Sequence, residues 1–336
     1  MDTILVIGGG ITGLQAALDL AQLGFSIILL ERETELGGKL NQLSTLFPRG
    51  ESARDLLAEK LRHIEDNGNI RVTTGAEIET VDQKPSGYKV TLRGGASFEV
   101  RAAVLATGFD PFDPSLIEEY GYGRLKDVVT AFELEAQLQE EKVVRPSTGL
   151  PPQSVTFLQC VGSRDRRTNR YCSYFCCTYA LKEALAVKKL NPGAVVSILY
   201  MDIRTPYLYE HLYTEAREKG IRFIRSRVSG ITEKDGQLDL DIENTLTGES
   251  ETLPAELVVL STGGVSAAGN PHLAEQFKLP LSDQGFFTVE PPPVTTAAEG
   301  IFIAGTASGL KDIPQCLAEA SAGAIQVCAF MNGREK

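Results

Sequence analysis

Residues 3–32 read T-I-L-V-I-G-G-G-I-T-G-L-Q-A-A-L-D-L-A-Q-L-G-F-S-I-I-L-L-E-R. An apolar run, Ile4 to Ile7, is followed by Gly8, Gly10 and Gly13 in the pattern G-x-G-x-x-G, then by a helical repeat and a second apolar run that closes on Glu31. Strand, glycine turn, helix and strand in that order predict a parallel βαβ unit. Its glycines serve a tight turn, close approach of the backbone to a pyrophosphate, and packing of the helix on the sheet. Glu31 comes eighteen residues after Gly13, at the strand end from which a carboxylate reaches a ribose hydroxyl. The stretch therefore predicts dinucleotide binding on an α/β fold.

Farther along, 69–108 alternates as short antiparallel strands and then closes on Val104–Gly108, V-L-A-T-G. Residues 220–263 do the same, with a meander and an apolar strand ending in Thr262-Gly263. The two halves repeat each other, and each has a second strand ending in an acid, Glu31 or Asp202. Where the first copy has its phosphate glycines, the second has Cys160-Val161-Gly162, so Asp202 reads as structural. Two Rossmann-like domains are expected, the second inserted in the first. Their bounds are 1–110 and 266–336 for the first, and 154–265 for the second. Residues 111–153, with prolines at 111, 114, 146, 151 and 152 and one short helix near Phe132–Leu138, read as a linker.

Four of the six cysteines lie in Cys160–Cys177, C-V-G-S-R-D-R-R-T-N-R-Y-C-S-Y-F-C-C. Apolar residues from Ser154 to Gln159 predict a strand before them, and Thr178–Leu190 predicts an amphipathic helix after them. On a first helical turn Cys172 and Cys176 would share a face, with Cys177 rotated by about 100°. Such a spread suits the separate corners of an iron–sulfur cubane better than one tetrahedral ion. Zinc usually takes C-x-x-C knuckles, which the loop lacks; paired disulfides are the third reading. Arg164, Arg166, Arg167 and Arg170 would stabilise an anionic centre or form a solvated basic loop. Cys316 and Cys328 read as packed small hydrophobes.

The chain has 336 residues, a net charge of −11 and a pI near 5.0. That balance argues against nucleic acid or an anionic membrane as partner. No apolar run spans a bilayer and no leader precedes the first strand, so a cytoplasmic protein without an integral membrane segment is expected. His63, His211 and His272 are scattered and form no hydrolase arrangement. Tyr207, Tyr209 and Tyr213 read as a packed helix, with a partner-binding surface as the other reading. Gly309–Pro314, G-L-K-D-I-P, precedes a helix near Pro314–Met331, capped by Asp312 or Ile313. Lys311 is the expected side chain near a flavin N5.

The acid at Glu31, Gly37-Gly38, Val104–Gly108 and the strand Gly300–Gly305, G-I-F-I-A-G, together resemble the two-dinucleotide-fold flavoproteins of the glutathione and thioredoxin reductase type. The resemblance implies FAD, held by Gly8, Gly10, Thr12, Gly13, Glu31 and Arg32. Gly38, Lys39, Ala76, Glu77, Ala106, Thr107 and Gly108 complete that side of it. Gly305, Thr306, Ile313 and Pro314 follow at the carboxyl end, with Thr306 standing where the family commonly has an acid.

More specifically, Q-C-V-G-S-R-D from Gln159, Y-C-S-Y-F-C-C-T-Y-A-L-K from Tyr171, Y-M-D-I-R from Tyr200, L-T-G-E from Leu246 and K-D-I-P from Lys311 resemble the A subunit of heterodisulfide reductase and its relatives. That resemblance implies that Cys160, Cys172, Cys176 and Cys177 ligate one [4Fe-4S] cluster. It also implies a homodimer working with other subunits of a heterodisulfide-reductase-like complex. The chain lacks the ferredoxin-like segments of methanogen members and the cysteines that relatives in sulfate reducers carry after Gly38. It most resembles the compact A subunit of sulfur oxidisers. A free-standing NAD(P)H-dependent FAD oxidoreductase with structural cysteines is the other reading.

Overall fold

A computed structural model describes residues 2–333 of the chain. It comprises two compact units, the first formed by Met1–Asn41, Ala53–Asp110 and Val265–Lys336, the second by Gln42–Ser52 and Pro111–Gly264.

The first unit is built on a five-stranded parallel sheet in the order Ile301–Ile303, Ala102–Leu105, Thr3–Ile7, Ser26–Leu30, Ile70–Thr73. Ile4, Leu5, Val6 and all of Ala102–Leu105 are buried, the near-continuous apolar reading of strands covered on both faces. Helices Ile11–Gln22 and Ile313–Gly333 are joined by a hydrogen bond from Ser321 Oγ to Asp19 Oδ2 at 2.6 Å. A three-stranded antiparallel meander, Ile78–Lys84, Gly87–Leu92 and Ser97–Val100, adds Tyr88, Val90 and Leu92 to the core with Phe277 and Phe287.

The second unit repeats this plan in one seven-stranded sheet, ordered Val128–Thr130, Leu257–Thr262, Ser154–Val161, Val195–Tyr200, Arg222–Lys234, Gln237–Asn244, Glu249–Ala255. The first five strands run parallel, and the long Arg222–Lys234 leaves its parallel partner to start an antiparallel meander. Its core packs Val155, Phe157, Val196, Ile198 and Val259 against Leu181, Ala184 and Val187 of helix Cys176–Leu190.

Residues 111–153 differ from the linker expected of their prolines. Val128–Thr130 forms the edge strand beside Leu257–Thr262. Helix Ala131–Gln139 follows with a full capping box between Thr130 and Glu133, and its Leu134 is fully buried. Prolines bound this supersecondary element without breaking it. Among the described residues, no helix is long and apolar enough to cross a membrane.

Candidate functional site

In the first unit, the glycine turn is shaped by contacts that leave no room for a side chain. A Cβ on Gly13 would stand 1.7 Å from Gly8 O, and one on Gly8 would stand 2.4 Å from Ala106 O. Gly305 is pressed on Thr12, whose Oγ1 would lie 2.3 Å from an added Cβ, and a Cβ on Gly38 would meet Gly10 Cα at 3.1 Å. Gly10 and Gly108, by contrast, open on free space. Four segments distant in sequence thus converge on one turn whose outer face is bare backbone, a cradle that fits a dinucleotide pyrophosphate at the start of helix Ile11–Gln22.

Glu31 is buried; its Oε2 accepts from Gly9 N at 2.6 Å and its Oε1 from Glu33 N at 2.9 Å. A carboxylate has about four acceptor sites, so two backbone donors leave capacity for a ribose hydroxyl. Arg32 is half-exposed beside Glu33 and Asp110, and Lys39 lies 6.0 Å from the Phe109 ring centre. Ala76 N donates to Glu31 O at 3.0 Å, and Thr107 Oγ1 donates to Asn270 Oδ1 at 2.8 Å. Glu77 is drawn instead into an ion pair with Arg93 on the meander.

At the carboxyl end, Asp312 caps helix Ile313–Gly333: its Oδ1 accepts from Gln315 N at 2.9 Å while Gln315 Oε1 accepts from Asp312 N at 3.3 Å. Ile313 and Pro314 are therefore its first two helical residues. Lys311 donates to Gly305 O at 2.9 Å, Ser308 Oγ at 2.8 Å and Gly309 O at 3.2 Å, and lies 3.4 Å from Glu319 Oε2. An ammonium has three protons, and these contacts engage all of them on its own loop. Lys311 clasps the turn rather than presenting a free ammonium. Glu319, which sequence reading passed over, also accepts from Gly305 N at 3.0 Å; buried Thr306 follows that glycine. Burial raises the thiol pKa of Cys316 to about 11, an inert packed cysteine as expected.

In the second unit, Cys160 sits at a register shift near the end of strand Ser154–Val161, with a left-handed φ of +62°. A bulge re-aims a side chain, and Gly162 at φ +75° completes the bend. Cys176 and Cys177 open helix Cys176–Leu190, at a terminus that no side chain caps. Cys172 is not on that helix, contrary to the expected shared turn. Tyr174 at φ +67° interrupts the run, Cys172 Sγ accepts from Tyr174 N at 3.4 Å, and buried Ser173 Oγ accepts from Gly264 N at 3.1 Å.

Cys160, Cys176 and Cys177 are buried and hydrogen-bonded among themselves. The bond from Cys176, then Arg164, brings Cys160 down to about 7. Bonds to Cys160 and Cys177, reinforced by burial, push Cys176 well up, whereas the Cys176 bond lowers Cys177. Cys176 therefore keeps its proton between two neighbours whose thiolates are favoured, and a helix start favours thiolate. Cys177 Sγ also lies 3.8 Å from Asp202 O. Among the described residues no three His, Cys, Asp or Glu side chains converge to hold a single metal ion.

Of the four loop arginines only Arg164 turns to the thiols, bridging Cys160 and Asp202; Arg204 Nε holds the other Asp202 oxygen at 3.2 Å. Asp202 is thus shared between two arginines. Arg167 is occupied by Asp165 and Glu119. In the second unit Gly162 and Gly263 are likewise closely packed: a Cβ on Gly162 would stand 2.1 Å from the Phe112 ring, and one on Gly263 2.4 Å from Ser173 Oγ. Asn169 Nδ2 donates to Gly162 O at 2.8 Å and Tyr171 OH to Gly264 O at 3.1 Å, tying the loop across the strand ends.

Residues 2–145 match the pyridine nucleotide-disulphide oxidoreductase family. The iron-sulfur A subunit of CoB–CoM heterodisulfide reductase from Methanocaldococcus jannaschii is 34% identical, aligned over 96% of this chain and 63% of that protein. The A subunit of H(2):CoB-CoM heterodisulfide,ferredoxin reductase from Methanothermobacter thermautotrophicus is 32% identical over 98% of this chain and 64% of that protein. The chain thus spans somewhat less than two thirds of these relatives. Thioredoxin reductase of Lactococcus lactis has a similar fold, with a TM-score of 0.71 at 18% identity, covering 98% of this chain and 99% of that one. That of T. acidophilum gives 0.70 at 14% identity over 99% of both.

Proposed function

We propose that the chain, similar along nearly its whole length to heterodisulfide reductase A subunits, is a member of that family and the FAD- and [4Fe-4S]-containing electron-transfer component of a heterodisulfide-reductase-like complex. FAD supplies two-electron chemistry and the cluster one-electron chemistry, which together connect thiol/disulfide or sulfur metabolism to single-electron carriers. The glycine cradle and Glu31 bind the dinucleotide, and Lys311 with Glu319 holds the Gly305 turn against it. Cys160, Cys172, Cys176 and Cys177 hold the cluster, and Arg164 offsets its negative charge. The compact A subunit of sulfur oxidisers is the form that the chain most resembles.

The observation that carries this reading is the set of three buried, mutually bonded thiols offered by a strand-end bulge and an uncapped helix start. Supporting it, Ser163 Oγ, Thr178 Oγ1 and both amide atoms of Gln159, all within three residues of these cysteines in sequence, are buried without a protein partner. Buried polar groups of that kind belong beside an acceptor such as thiolate or cluster sulfide. Iron and acid-labile sulfide should be counted per flavin after anaerobic purification. About four of each, lost in Cys176→Ser and kept in Cys316→Ser, is expected; iron-free flavoprotein would refute the assignment.

A further inference from the structure

Asn270, a residue that sequence reading passes over, is fully buried at the start of helix Asn270–Phe277. Its amide has a partner at each end. Oδ1 accepts from Thr107 Oγ1 at 2.8 Å, and Nδ2 donates to Gly285 O at 3.1 Å. All three residues lie in the first unit, with Thr107 on the wall of the glycine cradle.

Two walls of that cradle need such a link. Strands Ala102–Leu105 and Ile301–Ile303 run side by side, and Ala304 N donates to Leu105 O at 3.0 Å at their end. Beyond it they take different partners: Ala106 N donates to Ile7 O at 2.8 Å, and Gly305 N to Glu319 Oε2 at 3.0 Å. Asn270 rejoins them. Gly285 stands at φ +79°, pressed on Ser266, whose Oγ an added Cβ would meet at 2.4 Å. Two residues on, Phe287 N donates to Ala307 O at 3.0 Å, inside the turn Gly305–Ser308. The path from Thr107 through Asn270 and Gly285 to Ala307 thus crosses from one wall to the other. The same segment holds the far side of Gly108, since Ala268 N donates to Asp110 Oδ2 at 2.8 Å.

The same bonds fix which way the protons point. Gly285 O can only accept, so the amide nitrogen faces it and Oδ1 faces Thr107. Oδ1 in turn can only accept, so the single hydroxyl proton of Thr107 is committed to Asn270. What Thr107 Oγ1 still offers is lone pairs. An ionised phosphate has no proton to give them, whereas a hydroxyl or ring N–H does.

We propose that Asn270 is a positioning residue of the dinucleotide site, tying Thr107 to the Gly305–Ser308 turn and directing the Thr107 hydroxyl to accept from a hydroxyl or N–H of FAD. The inference rests on the flavin reading above. A buried amide suits the place because it holds a donor and an acceptor at once without charge. Aspartate has the same shape but fills both ends only while protonated. Once ionised, it sets a buried carboxylate against the Gly285 carbonyl, with no proton to join them.

The test follows release of FAD from purified holoprotein, read as the rise of flavin fluorescence on dilution. Asn270→Asp should release FAD at nearly the parent's rate at about pH 5, where burial keeps the introduced carboxyl protonated, and at least about tenfold faster than the parent at about pH 8. Asn270→Leu and Thr107→Val should each speed release about tenfold at every pH, and together should fall short of the product of their single effects, because they break the same bond. Asn191→Asp alters an amide that donates to Pro152 O at 2.6 Å in the second unit, and should stay within about twofold of the parent. A ratio of Asn270→Asp to parent that does not change with pH, or single effects that multiply in the pair, overturns the positioning role. Should Asn270→Leu fail to fold, Asn270→Asp compared at the two pH values in one preparation decides alone. Parent protein that neither carries nor takes up flavin would instead refute the flavin reading itself.

Discussion

Replacing Glu183 by glutamine should stabilise the protein at neutral pH, by an amount that grows with pH. Glu183 lies in helix Cys176–Leu190 with 1% exposure. Burial raises its pKa well above the ordinary 4.5, and the neighbouring Glu135 carboxylate raises it further, outweighing Lys182. Glu135 is itself committed, to Lys182 and to Ser44 N and Oγ, the last two at 2.7 Å. The folded state therefore keeps Glu183 protonated where the unfolded chain ionises it. Below the unfolded carboxyl range both states hold the proton, and the stability is fully present. As pH rises toward the folded pKa the unfolded state alone has lost its proton, and stability falls by up to about 1.4 kcal/mol per pH unit. Glutamine keeps the shape and a neutral donor but has no proton to lose. Urea unfolding of both proteins from about pH 5 to about pH 8 should show the variant gaining on the parent, reaching roughly 1–3 kcal/mol by pH 7. A difference that does not change with pH, or that favours the parent increasingly as pH rises, would refute the buried neutral acid.

Glu135→Ala should act in the opposite sense, because it strands the Lys182 ammonium, 9% exposed, without its carboxylate; a loss of about 3–5 kcal/mol is expected in the same unfolding assay. Gly13→Ala should cut the flavin content of purified protein at least tenfold, since its Cβ would stand 1.7 Å from Gly8 O, whereas Gly269→Ala, which meets nothing within 4 Å, should leave absorbance unchanged. Lys311→Met removes the clasp on Gly305, Ser308 and Gly309 and should speed flavin dissociation about tenfold; retention equal to the parent would refute the clasp.

What local pattern controls was legible in the chain. The first βαβ unit, both T-G strand ends and the repeat all follow from apolar periodicity and glycine spacing, and the cysteine loop does lie between a strand and a helix. Long-range partnerships were not. Residues 42–52 and Val128–Thr130 join the second unit through pairing and burial that carry no local signature. Glu319 reaches Gly305 from two turns inside a helix, and the Phe112 ring packs on Gly162 from fifty residues away. Placing Cys172 on the helix failed because Ser173 is held by Gly264 and Tyr174 adopts a left-handed backbone, a tertiary override of helical spacing. That Lys311 donates to the carbonyls of its own turn is likewise not legible in local pattern.

The central claim is that one chain joins a two-electron and a one-electron centre, and an anaerobic reductive titration followed in the visible spectrum counts them directly. About three reducing equivalents per chain are expected, two for the flavin and one for the cluster. An end point at two equivalents, with only the flavin bands bleaching, would contradict it.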